Sequence, residues 1–333
     1  MDLKSYFMKA GYKSDFVEKI SQNHSLRRYS VDTLIIKEGQ LTKFFSLLGL
    51  DKQNIIKIIS TVPEFLGYDI ATLGEKYKFL LFVVKDNELL LKIIKEYPKI
   101  LAIDSNSIQE KINDLMCLGY NKEQIISIAT KSPRILSFSF ETLKSKWNIF
   151  NKLGYNNDDI IRMTIKFPDL FYFSEENILK KFNDLISLGY DVDNIISITL
   201  KVPEIYSYKM ESILERIDAF LLRDYSMNDI IDLTIISPSI LSSNVETLKL
   251  KLAFYDEIDL KNIIIKYPKN LIQSLEVSFA RYMFYADKGI IINEENFRKL
   301  FIGQQYFEQT FKVNKEQLLR MYPYYTDNKK RSR

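Results

Sequence analysis

Pro63, Pro98, Pro133, Pro168, Pro203 and Pro238 stand 35 residues apart, and Pro268 follows after 30, so seven of the eight prolines mark one period. A period of that length is one supersecondary unit repeated. A unit this small cannot bury its apolar face alone, so neighbours must stack and share a core. The quasi-linear build of such an array lets a chain of 333 residues pass as one domain above the usual size.

Aligned on the proline, the repeats show what each unit contains. Twelve residues before it stand Asp51, Asp86, Asn121, Asn156, Asp191, Ser226 and Asp256, side chains that accept from the free N–H groups of a helix start. Asn121 to Gln124 has capping-box spacing, and Asn156 to Asp159 is a shorter-armed version. Aliphatic pairs follow, such as Ile125-Ile126, Ile160-Ile161 and Ile195-Ile196. The spacing predicts a first helix of about ten residues that stops at the proline, which breaks the hydrogen-bond ladder and restricts the residue before it.

A second cap column lies six residues after the proline: Asp69, Asp104, Ser139, Ser174, Asn244 and Ser274, with Lys209 the exception. The helix predicted to start there carries a period-3.6 apolar stripe (Leu143, Trp147, Phe150; Ile178, Phe182, Leu185). It closes at Leu-Gly-Tyr, as in Leu118-Gly119-Tyr120, where glycine is free to take the left-handed conformation. The predicted fold class is therefore all-α, a helical-repeat solenoid of about 35-residue units forming one continuous domain. Residues 1–40 read as a degenerate N-terminal capping repeat in which His24 or a neighbour replaces the proline, 41–290 as the array, and 291–333 as a C-terminal cap and basic tail. The tail Lys329-Lys330-Arg331-Ser332-Arg333 reads as a disordered, solvated end in preference to a phosphate contact.

Catalysis finds little support. His24 is the only histidine, and Cys117 the only cysteine, read here as a small buried thiol. No metal cluster can be assembled from them, intramolecular disulfides are excluded, and no glycine-rich phosphate loop or nucleophile elbow occurs. Asp158-Asp159 is a capping feature first. The expectation is a non-enzyme with no catalytic residues, metal or cofactor. No stretch approaches about 18 uncharged apolar residues, so no membrane span is expected. The amino terminus lacks the apolar core of a secretory signal, and Asp2, Asp15 and Glu18 do not suit an acid-poor transit peptide, which leaves a cytoplasmic site open.

The unit Leu-Gly-Tyr, four spacers, Ile-Ile, Pro-x-Ile-Leu and a Leu-x-x-Lys helix, clearest from Leu118 to Lys146, resembles the repeat of the mitochondrial transcription termination factor (mTERF) family. The resemblance covers residues 41 to 290. It implies a right-handed-type superhelical half-doughnut that binds nucleic acid in its groove and acts in organellar gene expression, in a mitochondrion or other organelle. Asp224-Tyr225 in place of Gly-Tyr, and Val84 in place of another glycine, roughen the repeat. The pentatricopeptide repeat is similar in length but reads bases with fixed polar positions, whereas the constant features here are a proline and flanking aliphatics.

Thirteen residues after each proline stand Lys76, Lys111, Lys146, Lys181, Arg216, Lys251 and Arg281, a basic position in every repeat. On a helix this position lies about 60° from the centre of the apolar stripe, so stems can lie on the core while charged heads emerge at its edge. Rungs about 10 Å apart can follow a phosphate backbone with one charge per ~1.7 Å of duplex axis. A shorter column, Lys131, Lys166, Lys201 and Lys266, stands two residues before the proline, where a cation also complements the helix dipole. Net charge is only +4, so binding must rest on charge segregation, with acids such as Glu123 and Asp193 at helix starts. Lysines dominate over arginines, which points to backbone contact with modest sequence preference. Tyr120, Tyr155, Tyr190 and Tyr225 read as packing between units in preference to base stacking. The expected partner is double-stranded DNA or structured RNA, bound by a monomer to regulate transcription or RNA metabolism. The alternative is a solenoid scaffold for a polypeptide such as a polymerase or ribosomal protein.

Overall fold

The computed structural model describes residues 2–324, so the basic tail lies outside the described residues. All regular structure in it is helical, and the unit is an α-helix, a 3-10 turn opened by the periodic proline, and a second α-helix. One such unit runs Lys122–Lys131, Pro133–Ser137 and Phe140–Lys152.

Each boundary has a local cause. Asn121 Oδ1 accepts from the Gln124 N–H at 2.8 Å and Gln124 Oε1 from the Asn121 N–H at 2.9 Å, a complete capping box. Ser226 and Asp229 form another, while Asp51, Asp86, Asn156 and Asp191 cap with the side chain alone. Ser132, before the proline, leaves the helical region (φ −145°, ψ 75°), and its N–H makes the last helical bond, to Ile128 O at 2.8 Å.

Two expected caps differ. Asp69 precedes its helix without a side-chain cap bond. Asp256 lies inside the helix Val245–Glu257 and pairs with Arg223 Nε at 3.2 Å. The 30-residue repeat lost its residues from the start of its first helix, which is cut to Lys261–Lys266 with Leu260 before it, so counting back from the proline overshoots the helix.

The core is laid down by position in the repeat. Ile125, Ile128 and Ala129 of the first helix, Ile135 and Leu136 of the turn, and Leu143, Trp147 and Phe150 of the second helix are all buried. The second residue of each aliphatic pair does something else. Ile161 Cδ1 would stand 3.3 Å from a Cβ placed on Gly119, whose φ is +103°. Glycine there serves both the left-handed helix end and the close approach of the next repeat.

Tyr120, Tyr155 and Tyr190 are buried, and their hydroxyls lie 2.5–2.7 Å from Thr164, Thr199 and Thr234, each 44 residues on. Because each threonine hydroxyl already donates to the carbonyl four residues earlier, the tyrosine is the donor. These rings fill the space between repeats and are sealed from any base.

The chain divides into two compact units. The first takes the residues up to Lys152 with Asn156–Tyr172, and the second takes Leu153–Tyr155 and everything from Phe173 on. In the first, Glu38 is buried and accepts from Tyr6 Oη at 3.0 Å, Tyr12 Oη at 2.8 Å and Thr42 Oγ1 at 2.9 Å, which ties the opening helices to Val31–Leu47. His24 sits in the turn before that helix. In the second, the helix Leu275–Asp287 packs against the closing helix Lys315–Met321.

Cys117 is exposed, contrary to the expected buried thiol. It closes its helix one residue before the Leu118-Gly119 turn, in the register that holds Leu47, Phe82 and Leu222, all more than three-quarters exposed. The apolar look of Met116-Cys117-Leu118 hid its place on the outer side of the helix end.

Replacing Tyr190 by phenylalanine removes one buried hydrogen bond and leaves Thr234 its carbonyl partner. The expected loss is about 1 kcal/mol of unfolding free energy, read from urea denaturation.

Candidate nucleic-acid interface

The proline that stops each first helix also opens a 3-10 turn whose last carbonyls have no partner within the turn. The basic column thirteen residues after the proline reaches these carbonyls one repeat further on. Lys76 Nζ donates to Ala102 O at 3.1 Å, Arg216 Nε to Ser243 O at 2.6 Å, and Lys251 Nζ to Leu271 O at 2.6 Å. Lys181 Nζ donates to Tyr208 O. Arg281 spans the exit of the turn Phe297–Phe301, bonding Leu300 O at 3.0 Å, Ile302 O at 2.7 Å and Gln304 Oε1 at 3.1 Å.

These heads do not emerge at the edge as the stripe geometry predicted. Lys181 and Lys251 are 8% exposed and Arg281 is 2% exposed. Lys76, Lys146 and Arg216 are half-buried, and Lys111 pairs instead with Asp114 at 3.1 Å on its own helix. Burial pushes the Lys76, Lys181 and Lys251 ammonium groups below the usual lysine range and lowers the Arg281 guanidinium as well. A cation at this register joins consecutive repeats by capping backbone, the same chemistry that places lysine and arginine at helix C-termini.

The shorter column sits in the open. Lys131, Lys166, Lys201 and Lys266 are all exposed at the last turn of their first helices. Lys131 Nζ rests on Ile165 O at 2.5 Å and Lys201 Nζ on Ile235 O at 2.6 Å, carbonyls of the next first helix. An ammonium has three protons, so each of these two keeps two for a ligand. Lys266 lies over the Tyr267 ring. In the first unit the Lys131 head therefore lies beside Ile165, the residue preceding Lys166.

The turns hold cations the sequence analysis did not single out. Lys99, Arg134 and Lys269, one residue after their prolines, are exposed on the turns. The proline period would have revealed them, but Glu64, Asp169 and Glu204 interrupt the same register. Among the described residues no group of three or more histidine, cysteine, aspartate or glutamate side chains could hold a metal ion, and no helix is long and apolar enough to cross a membrane.

Repeated helix–proline turn–helix units, joined by cations at a fixed register, define a helical-repeat protein. The chain belongs to the mTERF family, whose profile matches residues 3–152 and 145–312. The match extends past residues 41 to 290 at both ends, so the opening helices belong to the family region. No curated protein matches the chain significantly.

Lys181→Met keeps the stem and strands the Tyr208 carbonyl, with an expected cost of about 1–3 kcal/mol in urea denaturation. Lys201→Met, at an exposed helix end, is expected to cost under about 0.5 kcal/mol. Alkaline pH provides a second check. Burial raises Tyr120, Tyr190, Tyr225 and Tyr255 above the usual tyrosine range, so they lose their protons in the unfolded chain first. The stability they confer is complete below pH ~10 and lost above it, by up to about 1.4 kcal/mol per unit of pH for each ring. The buried lysines act in the opposite sense just below pH ~10.4 but are fewer. Urea midpoints are therefore expected to fall steeply above pH ~10.

Proposed function

We propose that this protein binds double-stranded DNA or structured RNA without catalysis, gripping the phosphate backbone to regulate transcription or RNA metabolism in an organelle. Family membership supports a nucleic-acid partner, and the proposed geometry is a solenoid of about 35-residue repeats with a basic groove. The observation that carries the reading is the exposure of the lysines at the first-helix ends, of which Lys131 and Lys201 each have one proton on a carbonyl and keep two for a ligand. Anchoring to backbone holds each charge in register and lowers the entropy lost when phosphate binds. The column Lys76, Lys111, Lys146, Lys181, Arg216, Lys251 and Arg281 is proposed to act mainly by setting repeat spacing, with its half-buried members adding charge at the edge.

The test is fluorescence anisotropy of the full chain with matched duplex DNA, duplex RNA and single-stranded RNA across salt. Duplex binding with a steep salt slope is expected. Lys131→Gln combined with Lys166→Gln should lower the log–log slope by about 2, near 0.9 per lost phosphate contact. Unchanged affinity and slope in that folded variant would refute the interface.

A further inference from the structure

One turn lacks the buried tyrosine or leucine that the others (Leu50, Tyr120, Tyr155, Tyr190, Tyr225, Leu260) place between repeats. After Ser105–Cys117 the turn reads Leu118, left-handed Gly119, Tyr120 and then the cap Asn121. After Ile70–Val84 the left-handed residue is Lys85 itself, and the cap Asp86 follows at once. The helix has run two residues further, 15 against 13, so no residue remains to insert. The facing positions are also reduced. Ile112 stands where the next repeat has Trp147, and Ala129 where the following ones have Thr164, Thr199 and Thr234.

The result is a cavity of about 160 Å³ within the first unit, lined by Phe82, Val83, Ile112, Ile125 and Ile126 with Lys85, Lys122 and Gln109. A cavity of about 150 Å³ with aliphatic and aromatic walls admits one benzene ring. Phe82, one wall, is 77% exposed. Lys85 and Lys122 are exposed, and no carboxylate lines the opening. Asp86, beside Lys85, caps the Leu89 N–H at 3.0 Å and does not line the slot.

We propose that this slot docks a partner protein through a phenylalanine side chain flanked by acidic residues. The ring takes the place that Tyr120, Tyr155 and Tyr190 fill from within the chain elsewhere, and the two lysines meet the flanking carboxylates. Phenylalanine is preferred over tyrosine because the floor side chains Ile112, Ile125 and Ile126 offer a phenol no acceptor, and the one neutral polar lining residue, Gln109, is exposed. A nucleic acid would gain from the lysines but has no apolar side chain for the aliphatic floor.

The probe is a fluorescein-labelled peptide with one phenylalanine between two pairs of glutamates, titrated by anisotropy against the full chain. Saturable binding is expected, weakened about tenfold or more when the phenylalanine is replaced by alanine. Ile112→Trp, which fills the slot with the neighbouring repeat's residue, should weaken it as much. The exposed pair Lys85→Glu with Lys122→Glu, folded by circular dichroism, should abolish it. Absence of saturable binding, equal binding of the alanine peptide, or undiminished binding to either folded variant would overturn the proposal.

Discussion

A proline in the middle of every repeat sets the terms for the rest of the molecule. It ends the first helix, turns the chain through a short 3-10 segment and leaves carbonyl groups with no donor in their own element. A buried carbonyl without a partner costs free energy comparable to a lost hydrogen bond, so donors must come from elsewhere. They come from the preceding repeat, as when Lys251 reaches Leu271 O. The break that shapes each unit thus also generates much of the directional bonding between units.

Seen this way, the two basic columns are one device at two depths. Lys76, Lys181, Arg216, Lys251 and Arg281, thirteen residues after their prolines, reach turn exits, and Lys131 and Lys201, two residues before theirs, reach the end of the next first helix. In the first set Lys181, Lys251 and Arg281 have become part of the protein interior, at the cost of desolvating charge, which is why the Lys181 and Lys251 ammonium groups are held below their ordinary range. In the second set Lys131 and Lys201 touch backbone at the surface and keep protons for other acceptors.

Departures from the repeat carry as much information as the repeat. The shortened turn at Lys85 removes a ring and opens a slot, while Asp224 and Asp259 take the left-handed conformation without glycine and keep Tyr225 and Leu260 buried after it. The truncated helix Lys261–Lys266 frees Asp256 to pair with Arg223. Each irregularity is local because each repeat touches mainly its neighbours.

Helix starts, proline stops, glycine ends and the identity of the core were legible in the sequence because they depend on interactions within about 35 residues. Asn121, Ser132 and Gly119 act where their spacing placed them. The fate of a lysine head was not legible. Residues on one helix face share a period whether their charges reach solvent or a carbonyl, and only the neighbouring repeat decides between them. Lys181 and Lys131 are both periodic cations, yet one is buried against Tyr208 O and the other lies open beside Ile165 O. By itself the sequence determined the repeated all-helical unit and the registers that hold its cations. Tertiary structure decided which cations became internal caps and which remained available, because that depends on carbonyls one repeat away.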